Sequence, residues 1–263
     1  MDLAKFKDLG KLLNIYNLPR YVVKKPRSEE GIDGRLVSYT DRTSYIAEQY
    51  KVLRTNLYSM ASTEHIKTIV ITSSQAQEGK TITSCNLSTT LSLDQEKKVL
   101  LIDCDLRRPA VHNIFGISRK PGFSDVLAET VDMDEFLEKP VIGNLFIMPA
   151  GTIKSNPSEI LTSTKIKNLI DGLKQKFDYI IFDTPPVLNV TDSSILGSLC
   201  DAVLFVVRAG VTPRNMVEEA LEMLTEAQAK PKGCILTNVH YLLDSYYYFY
   251  RYKYYKYAPE KKE

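Results

Sequence analysis

The sequence predicts an α/β fold built on a doubly wound, mostly parallel sheet. From residue 67 onwards, short β-rich runs alternate with helical runs. Parallel βαβ units with right-handed crossovers produce this order. Several of the strand candidates are also continuously apolar, as expected for strands that helices cover on both faces.

The strand candidates are short runs bounded by polar or turn-forming residues. They are Thr68–Thr72, Val99–Asp103, Leu145–Met148, Tyr179–Asp183, Ala202–Val207 and Cys234–Thr237. The helix candidates lie at about 79–93, 123–139, 157–176, 191–199 and 213–228. An earlier helix is predicted over 42–60, because Ile46, Tyr50, Leu53 and Leu57 recur at helical spacing on one face.

Three regions are predicted along the chain. Residues 1–40 form a leader or linker, 41–240 form a single domain, and 241–263 form a flexible tail rich in tyrosine. Residues 1–27 carry seven Lys or Arg against two Asp, a net charge of +5. Because these charges are scattered, a solvated linker is favoured over a contact with anionic lipid.

Composition excludes several classes of protein. The net charge of +2 over 263 residues argues against a strongly basic nucleic-acid binder. The cysteines show no CxxC spacing, so we interpret them as buried thiols in a reducing cytoplasm; they are Cys85, Cys104, Cys200 and Cys234. The longest apolar run, Ala202–Val207, falls far short of the ~18 residues of a membrane span. A soluble protein is predicted, and any membrane location must come from a partner.

A phosphate-binding loop is predicted where the first strand candidate gives way to a helix, at SSQAQEGKT over residues 73–81. Glycine at Gly79 permits close approach of the backbone, and the amides at the helix N-terminus bind phosphate oxygens. Lys80 would reach the β- and γ-phosphates, and Thr81 could ligate Mg²⁺. The usual first glycine of such a loop is replaced by Ser74.

Three aspartates lie at the carboxyl ends of two strand candidates. Asp103 and Asp183 are the last residues of their strand candidates, and Asp105 lies two residues after Asp103. The carboxyl ends of parallel strands meet at the ligand crevice of an open sheet, so these acids are expected to converge there. Carboxylates at that place can hold Mg²⁺ or take a proton from an attacking hydroxyl.

A cluster of tyrosines lies near the C-terminus, where Tyr241–Tyr257 holds nine of the sixteen tyrosines of the chain. The run fits neither strand nor helix periodicity. Its phenols are candidate phosphoryl acceptors, namely Tyr246, Tyr247, Tyr248, Tyr250, Tyr252, Tyr254, Tyr255 and Tyr257. A phosphate-handling site and a set of phosphate acceptors together suggest a kinase that modifies itself.

The order of motifs along this chain resembles that of the bacterial tyrosine kinases of capsule and exopolysaccharide operons. The motifs are the phosphate loop, the D-x-D-x-R run, NPSE, D-T-P-P and the tyrosine-rich tail. The resemblance covers about residues 42–257 and is to the two-polypeptide type, in which a separate membrane protein supplies the activating segment. It implies a P-loop fold similar to the MinD/ParA ATPases, with ATP and Mg²⁺ as cofactors.

The resemblance also implies roles for individual residues. Asp103 would be the favoured base for the tyrosine hydroxyl, although Asp105 stays an alternative, and Lys80 completes the catalytic set. Thr81, Asp105 and Asp183 would form the magnesium site. The predicted nucleotide contacts are Ser74, Gln77, Glu78, Gly79, Lys80, Thr81, Ile82, Arg107, Arg214 and Asn238.

Other segments that match the family are GFSDVL at 122–127 and PAGTIKSNPSEIL at 149–161, and we interpret them as structural turns that lead into helices. Asn238 is read as an adenine contact or as a plain turn residue. No extra lysine stands near residue 75, where MinD-type hydrolases carry one, so a kinase is favoured over an ATP-driven localisation switch.

Two departures from the family pattern are visible. Ala76-Gln77 replaces Pro-Gly in the phosphate loop, and Gln77 lacks the backbone freedom of glycine, which affects turnover more than binding. The self-association motif E-x-x-R-x-x-R is represented by Glu48, Lys51 and Arg54. Lysine cannot make a bidentate guanidinium contact, so a weaker or salt-sensitive ring is expected.

The resulting hypothesis is an ATP-dependent protein-tyrosine kinase that phosphorylates its C-terminal cluster in trans, within a homo-oligomeric ring such as an octamer. It would regulate capsular or exopolysaccharide synthesis and export. Its expected partners are a Wzz-like polysaccharide co-polymerase that recruits it from the cytoplasm to the inner face of the membrane and a cognate tyrosine phosphatase, but no nucleic acid. The alternatives are a MinD/ParA-like ATPase scaffold without kinase activity and a pseudo-enzyme that only binds nucleotide.

Overall fold

The computed structural model of the protein describes residues 17–19 and 31–239, apart from 95, 138, 153–160 and 162–163. The strands are β1 (Asn17–Pro19), β2 (Thr68–Ser73), β3 (Val99–Asp103), β4 (Leu145–Met148), β5 (Tyr179–Asp183), β6 (Ala202–Arg208) and β7 (Pro231–Val239). They form one sheet in the order β1-β7-β6-β2-β5-β3-β4, and every pair of neighbouring strands is parallel. The doubly wound, parallel α/β fold is therefore confirmed.

Helices connect the strands along the described part of the chain. They are α1 (Val37–Thr40), α2 (Tyr45–Glu64), α3 (Lys80–Ser92), α4 (Val111–Phe115), α5 (Phe123–Leu127), α6 (Thr164–Lys176), α7 (Asp192–Leu199) and α8 (Arg214–Glu226). A 3₁₀ turn spans Met133–Phe136. Among the described residues, no helix has the length and apolar character that crossing a membrane requires.

Two hydrophobic cores cover the two faces of the sheet, because successive strand residues point to opposite sides. Ile69 and Ile71 of β2 pack with Leu57 of α2 and Leu87 of α3. Val70, which lies between them in sequence, belongs to the other core, which contains residues of α6, α7 and α8. Burial on both faces explains the continuous apolar runs that the sequence shows in these strands.

Helix α3 is buried along most of its length, since every residue from Thr83 to Ser92 is buried. Much of this helix is serine, threonine and asparagine, and the side chains of Ser84, Asn86, Thr90 and Ser92 make hydrogen bonds within the helix or to neighbouring segments. Asn86 Oδ1 accepts from the Ser38 amide at 2.9 Å, and Asn86 Nδ2 donates to the Arg35 carbonyl at 2.9 Å. These bonds attach the segment around α1 to the helix that follows the phosphate loop.

Several predicted boundaries are wrong in detail. The helix predicted over 123–139 ends at Leu127, because Glu129 adopts a left-handed φ of 57° and the Asp132 side chain caps a new turn by accepting from the Asp134 amide at 3.0 Å. The helix predicted from residue 42 begins at Tyr45, where the Ser44 hydroxyl accepts from the Ala47 amide at 3.2 Å.

Some elements were not predicted at all. Strand β1 pairs with β7 although it lies in the predicted leader. Leu36 and Val37, also before residue 41, are buried in the core. The domain boundary at residue 41 stays a prediction, but these contacts attach the segment before it to the fold. The tail at 241–263 and the basic part of the leader lie outside the described residues, except for β1.

Candidate active site

The predicted phosphate loop lies between the end of β2 at Ser73 and the start of α3 at Lys80. Two of its residues adopt left-handed backbone conformations, with φ of 65° at Gln77 and 97° at Gly79. A Cβ atom added at Gly79 would lie 3.3 Å from Cγ2 of Thr237, so the strand behind the loop leaves little room for a side chain there. The φ of 65° at Gln77 lies in the left-handed region that favours glycine, the residue that the family pattern has at this position.

A buried carboxylate shapes the loop from within. Glu78 is 1% exposed, and its Oε2 accepts from the Gln75 amide at 3.1 Å. Its Oε1 accepts a hydrogen bond from the Thr212 hydroxyl, and its backbone carbonyl accepts from Thr237 Oγ1 at 2.7 Å. Side chains from the turn after β6 and from β7 thus fix the position of this residue.

Lys80 and Thr81 open helix α3 directly after the loop. Lys80 is 7% exposed, and its charge opposes the rise that burial causes in the pKa of Asp183. The hydroxyl of Thr81 also opposes the rise in the pKa of Asp183, and Ser84 Oγ, one turn into the helix, donates to Asp183 Oδ1 at 3.0 Å. The amides of a helix N-terminus and a lysine together form a site suited to phosphate oxygens.

Asp103 and Asp183 lie side by side at the carboxyl ends of β3 and β5, where they are register partners. Both are almost completely buried, with exposures of 0% and 1%. Burial, together with the charge of Asp183, raises the pKa of Asp103 well above its usual range. Burial also raises the pKa of Asp183 to about 6, although Lys80 and the hydroxyl donors oppose this increase.

Backbone amides hold both oxygens of Asp103. Oδ1 accepts from the amide of Asp105 at 3.2 Å, and Oδ2 accepts from the amides of Ala110 and Val111 at 3.1 Å each. Asp103 therefore caps helix α4 as well as facing Asp183. Asp105 is 9% exposed, and its Oδ1 accepts from the Arg108 amide at 2.9 Å.

The residues at this edge fit a magnesium ion. Asp183 Oδ2 is buried, and no residue that the structure describes gives it a hydrogen bond. Carboxylate and hydroxyl oxygens are the donors that Mg²⁺ prefers, and it usually retains several water or phosphate ligands. No group of three or more His, Cys, Asp and Glu in the described chain is arranged as a metal site, so a protein-only cage is not present there. Thr81, Asp105 and Asp183 are the residues that would hold Mg²⁺ together with phosphate oxygens.

Three of the predicted nucleotide contacts lie outside the phosphate loop and helix α3. Arg107 Nε lies 3.8 Å from Oδ2 of the buried Asp192. Asn238 has a φ of 58°, and its Nδ2 donates to the Ala209 carbonyl at 3.1 Å, which supports the turn that follows β6. The Arg214 side chain is 85% exposed and pairs with Glu218 at 2.9 Å. Their roles in nucleotide binding stay predictions.

The residues predicted for self-association make contacts within the subunit. Lys51 Nζ lies 2.5 Å from Glu48 Oε1 and also donates to the Arg42 carbonyl at 3.1 Å. Arg54 Nη1 donates to the carbonyl of Thr90 in α3 at 3.0 Å. All three lie on α2, and Arg54 connects this helix to the helix that follows the phosphate loop.

The two segments that match the family outside the nucleotide site bind each other. Asp125 Oδ2 accepts from the amides of Gly122 and Thr152, at 3.0 and 3.1 Å. Ser124 Oγ donates to the Thr152 carbonyl at 2.7 Å. These contacts agree with a structural interpretation of both segments, whereas Asn156–Glu159 and the tyrosine cluster lie outside the described residues.

Three site residues were not found from the sequence. Ser84 could have been found, because it follows Lys80 by one helical turn and faces the same way. Thr212 and Thr237 are distant from the loop in sequence, and no local motif marks them. Only the placement of β6 and β7 beside β2 brings them to Glu78.

Comparison with known proteins agrees with this geometry. Residues 66–234 match the AAA domain family. The tyrosine-protein kinase YwqD of Bacillus subtilis is 35% identical over 201 residues, which cover 76% of this chain and 84% of that protein. The kinase domain of the Escherichia coli tyrosine kinase ETK superposes with a TM-score of 0.81 at 25% identity, covering 93% of this chain and 96% of that one.

The septum site-determining protein MinD of Pyrococcus horikoshii, solved with Mg-ADP, superposes with a TM-score of 0.55 at 24% identity, covering 65% of this chain and 69% of that one. This likeness supports the fold alone. The sheet, the loop and the strand-end carboxylates thus define a P-loop protein of the MinD-like α/β type. Within the AAA domain family, the chain belongs to the bacterial tyrosine-protein kinases, and its enzymatic activity is that of a protein-tyrosine kinase.

Proposed function

We propose that this chain transfers the γ-phosphoryl group of ATP to tyrosine hydroxyls in the C-terminal cluster of a second copy, and that it thereby regulates capsular or exopolysaccharide synthesis and export. The observation that carries the proposal is the arrangement of Lys80, Thr81, Asp103 and Asp183 at one edge of the sheet, next to a helix N-terminus. These are the groups that phosphoryl transfer needs for charge neutralisation and positioning.

Each group has one chemical task in the proposed transfer. The loop amides and Lys80 bind the phosphates of ATP, and bound Mg²⁺ would neutralise part of their charge. The tyrosine oxygen forms a bond to the γ-phosphorus, the bond from that phosphorus to the β-γ bridging oxygen breaks, and ADP leaves. The phenolic proton passes to Asp103 or to Asp105. Burial and the charge of Asp183 raise the pKa of Asp103, so its carboxylate is more basic than that of an ordinary aspartate.

The acceptor tyrosines are proposed to come from a neighbouring copy. Tyr246 follows Val239, the last residue of β7, by seven positions. A tether of this length spans at most about 25 Å, which restricts how Tyr246 can approach the site of its own copy. A second copy can present the same segment without that restriction.

The further partners follow from the resemblance of the motifs to the two-polypeptide kinases. A ring of copies would form through Glu48, Lys51 and Arg54, and a membrane co-polymerase would supply an activating cytoplasmic segment. A tyrosine phosphatase would return the cluster to its unmodified form. Each phosphate adds about −1.5 to −2 charges, so repeated phosphorylation would favour dissociation of the ring by repulsion.

Mass spectrometry tests the proposal. The full chain is incubated with ATP and Mg²⁺, with and without the activating segment, and phosphotyrosine is mapped. Trans transfer predicts that an Asp183→Asn variant, inactive itself, becomes labelled on its tail when mixed with unmodified chain. Asp103→Asn and Asp105→Asn variants compared at several pH values assign the base. Steady phosphate release without phosphotyrosine would instead indicate the ATPase scaffold.

A further inference from the structure

The peptide bond that joins Glu78 to Gly79 is anchored from the strand behind it. Thr237 Oγ1 donates to the Glu78 carbonyl at 2.7 Å, whereas its distance to the Val207 carbonyl is 3.5 Å. A hydroxyl has one hydrogen to donate, so the shorter contact takes it. The methyl group of Thr237 also lies 3.3 Å from the place that a Cβ of Gly79 would take.

Planarity of the peptide bond transmits this contact to the next amide. In a trans peptide the C=O and N–H groups point in opposite directions. When Thr237 draws the Glu78 carbonyl towards β7, the amide of Gly79 must point away from β7. That amide immediately precedes Lys80, in the part of the loop where backbone N–H groups bind phosphate.

A second hydroxyl holds the side chain of the same residue. Thr212 donates to Glu78 Oε1, while Glu78 Oε2 accepts from the amide of Gln75. Glu78 is 1% exposed, and a buried carboxylate without donors would be costly. Glu78, Thr212 and Thr237 thus form a connected set, here called the loop clamp, that spans the turn after β6, β7 and the phosphate loop.

We propose that Thr237 is a positioning residue for the nucleotide, because its hydroxyl orients the Glu78–Gly79 peptide so that the Gly79 amide is available to a phosphate oxygen. Thr212 supports the same orientation through the Glu78 carboxylate. Neither threonine touches the phosphate itself. This inference rests on the proposed use of ATP by the loop, and it adds the residues that hold the loop in its binding conformation.

Replacement of single threonines in the full chain tests the inference. Thr237→Val removes the hydroxyl and retains the shape, whereas Thr237→Ser retains the hydroxyl. Thr225→Val is the matched control, since Thr225 lies in α8 and its Oγ1 donates to the Leu221 carbonyl of the same helix at 2.8 Å. Calorimetry with Mg·ADP is expected to show about tenfold weaker binding for Thr237→Val, the loss of one hydrogen bond.

The other variants and readouts separate positioning from stability. We expect Thr237→Ser and Thr225→Val to bind Mg·ADP within about twofold of the unmodified chain. In kinase assays the KM for ATP should rise for Thr237→Val by more than kcat falls. Without nucleotide, the midpoint of thermal unfolding of Thr237→Val should differ from that of the unmodified chain by no more than about 2 °C.

Each contrary outcome is specific. Unchanged Mg·ADP affinity in Thr237→Val, or an equal loss in Thr237→Ser, overturns the role of the hydroxyl. If Thr237→Val does not fold, Thr212→Val decides the matter: weaker binding of Mg·ADP supports the clamp, and unchanged binding overturns it. Failure of the unmodified chain to bind Mg·ADP would contradict the proposed function, and the inference with it.

Discussion

Asp103 and Asp183 face each other in register on neighbouring parallel strands, with both carboxylates buried. Two carboxylic acids that are buried and adjacent resist ionisation, as their raised pKa values indicate. Lys80 and two hydroxyl donors compensate part of this cost at Asp183. The site therefore favours additional positive charge, which a bound cation would supply.

Replacement of Asp183 by asparagine is expected to stabilise the protein and abolish its activity. The folded-state pKa of Asp183 lies above its unfolded value, so its stabilising contribution is present at low pH and is lost as the pH rises through about 6. Asparagine does not ionise, so the Asp183→Asn variant does not lose this stability as the pH rises. Its free energy of unfolding at pH 8 without nucleotide should be about 2 kcal/mol higher than that of the unmodified chain. Denaturation and phosphotyrosine assays measure the two effects. The exposed Asp171→Asn should change neither, and equal pH dependence in Asp183→Asn would contradict the argument.

Replacement of Gln77 by glycine is expected to preserve stability, whereas replacement by valine is expected to reduce it. Its side chain is exposed, and its φ of 65° is strained for residues with a Cβ, most of all when they are β-branched. Gln77→Gly should match or exceed the unmodified chain in thermal stability, and Gln77→Val should lose about 1 kcal/mol and weaken Mg·ADP binding. Ala76→Val, at the neighbouring exposed position, is the control. Equal behaviour of the two valine variants would show that the backbone conformation is not limiting.

Asp201 is expected to stabilise the protein only above acidic pH. Burial alone would raise the pKa of Asp201, but Lys174 and the donors at Thr68 and Lys67 lower it overall. Because the folded-state pKa is lowered, this stabilisation is present above the unfolded pKa of about 3.9 and is lost as pH falls through the folded value. Asp201→Asn should cost about 2 kcal/mol at pH 7 and much less near pH 3. Chemical denaturation at both pH values measures it, with the exposed ion-pair variant Asp134→Asn as control; a pH-independent cost would refute the assignment.

Arg54 and Lys51 are expected to differ in their contribution to the stability of the monomer, although both belong to the predicted self-association motif. Arg54 Nη1 bonds the Thr90 carbonyl in α3, so Arg54→Ala should lose about 1 kcal/mol of stability in the monomer. Lys51 pairs with Glu48 at the surface, and Lys51→Ala should change stability by less than about 0.5 kcal/mol. Sedimentation velocity then tests the ring: a loss of assembly in Lys51→Ala at unchanged thermal stability supports the interface, and unchanged assembly in both variants argues against it.

Much of the fold could be predicted because its signals are local. The continuous apolar runs located β2 to β6 within a residue or so, and the Gly-Lys-Thr run located the start of α3. The placement of Asp103 opposite Asp183 also follows from the sequence, since parallel strands end at the same edge. These features depend on short stretches of chain and on general rules of sheet topology.

The parts that could not be predicted depend on contacts between distant segments. Asp103 is predicted from the resemblance as a base, but the sequence does not show that the amides of Ala110 and Val111 donate to one of its oxygens. The hydrogen bond from Thr237 to the Glu78 carbonyl joins residues 159 positions apart, and it can form only when β7 is part of the sheet. Strand β1 is three residues long and has no periodicity to reveal it.

Helix α3 begins at the lysine of the phosphate loop and is enclosed by protein from Thr83 to Ser92. Few of its positions can change without disturbing a neighbour on some side. Substitutions there would alter nucleotide affinity and folding at the same time, so inactive variants in this helix need a measurement of foldedness before they can be interpreted. The exposed surfaces of α2 and α8 lack this constraint, so substitutions there can create contacts with new partners and leave the nucleotide site unchanged.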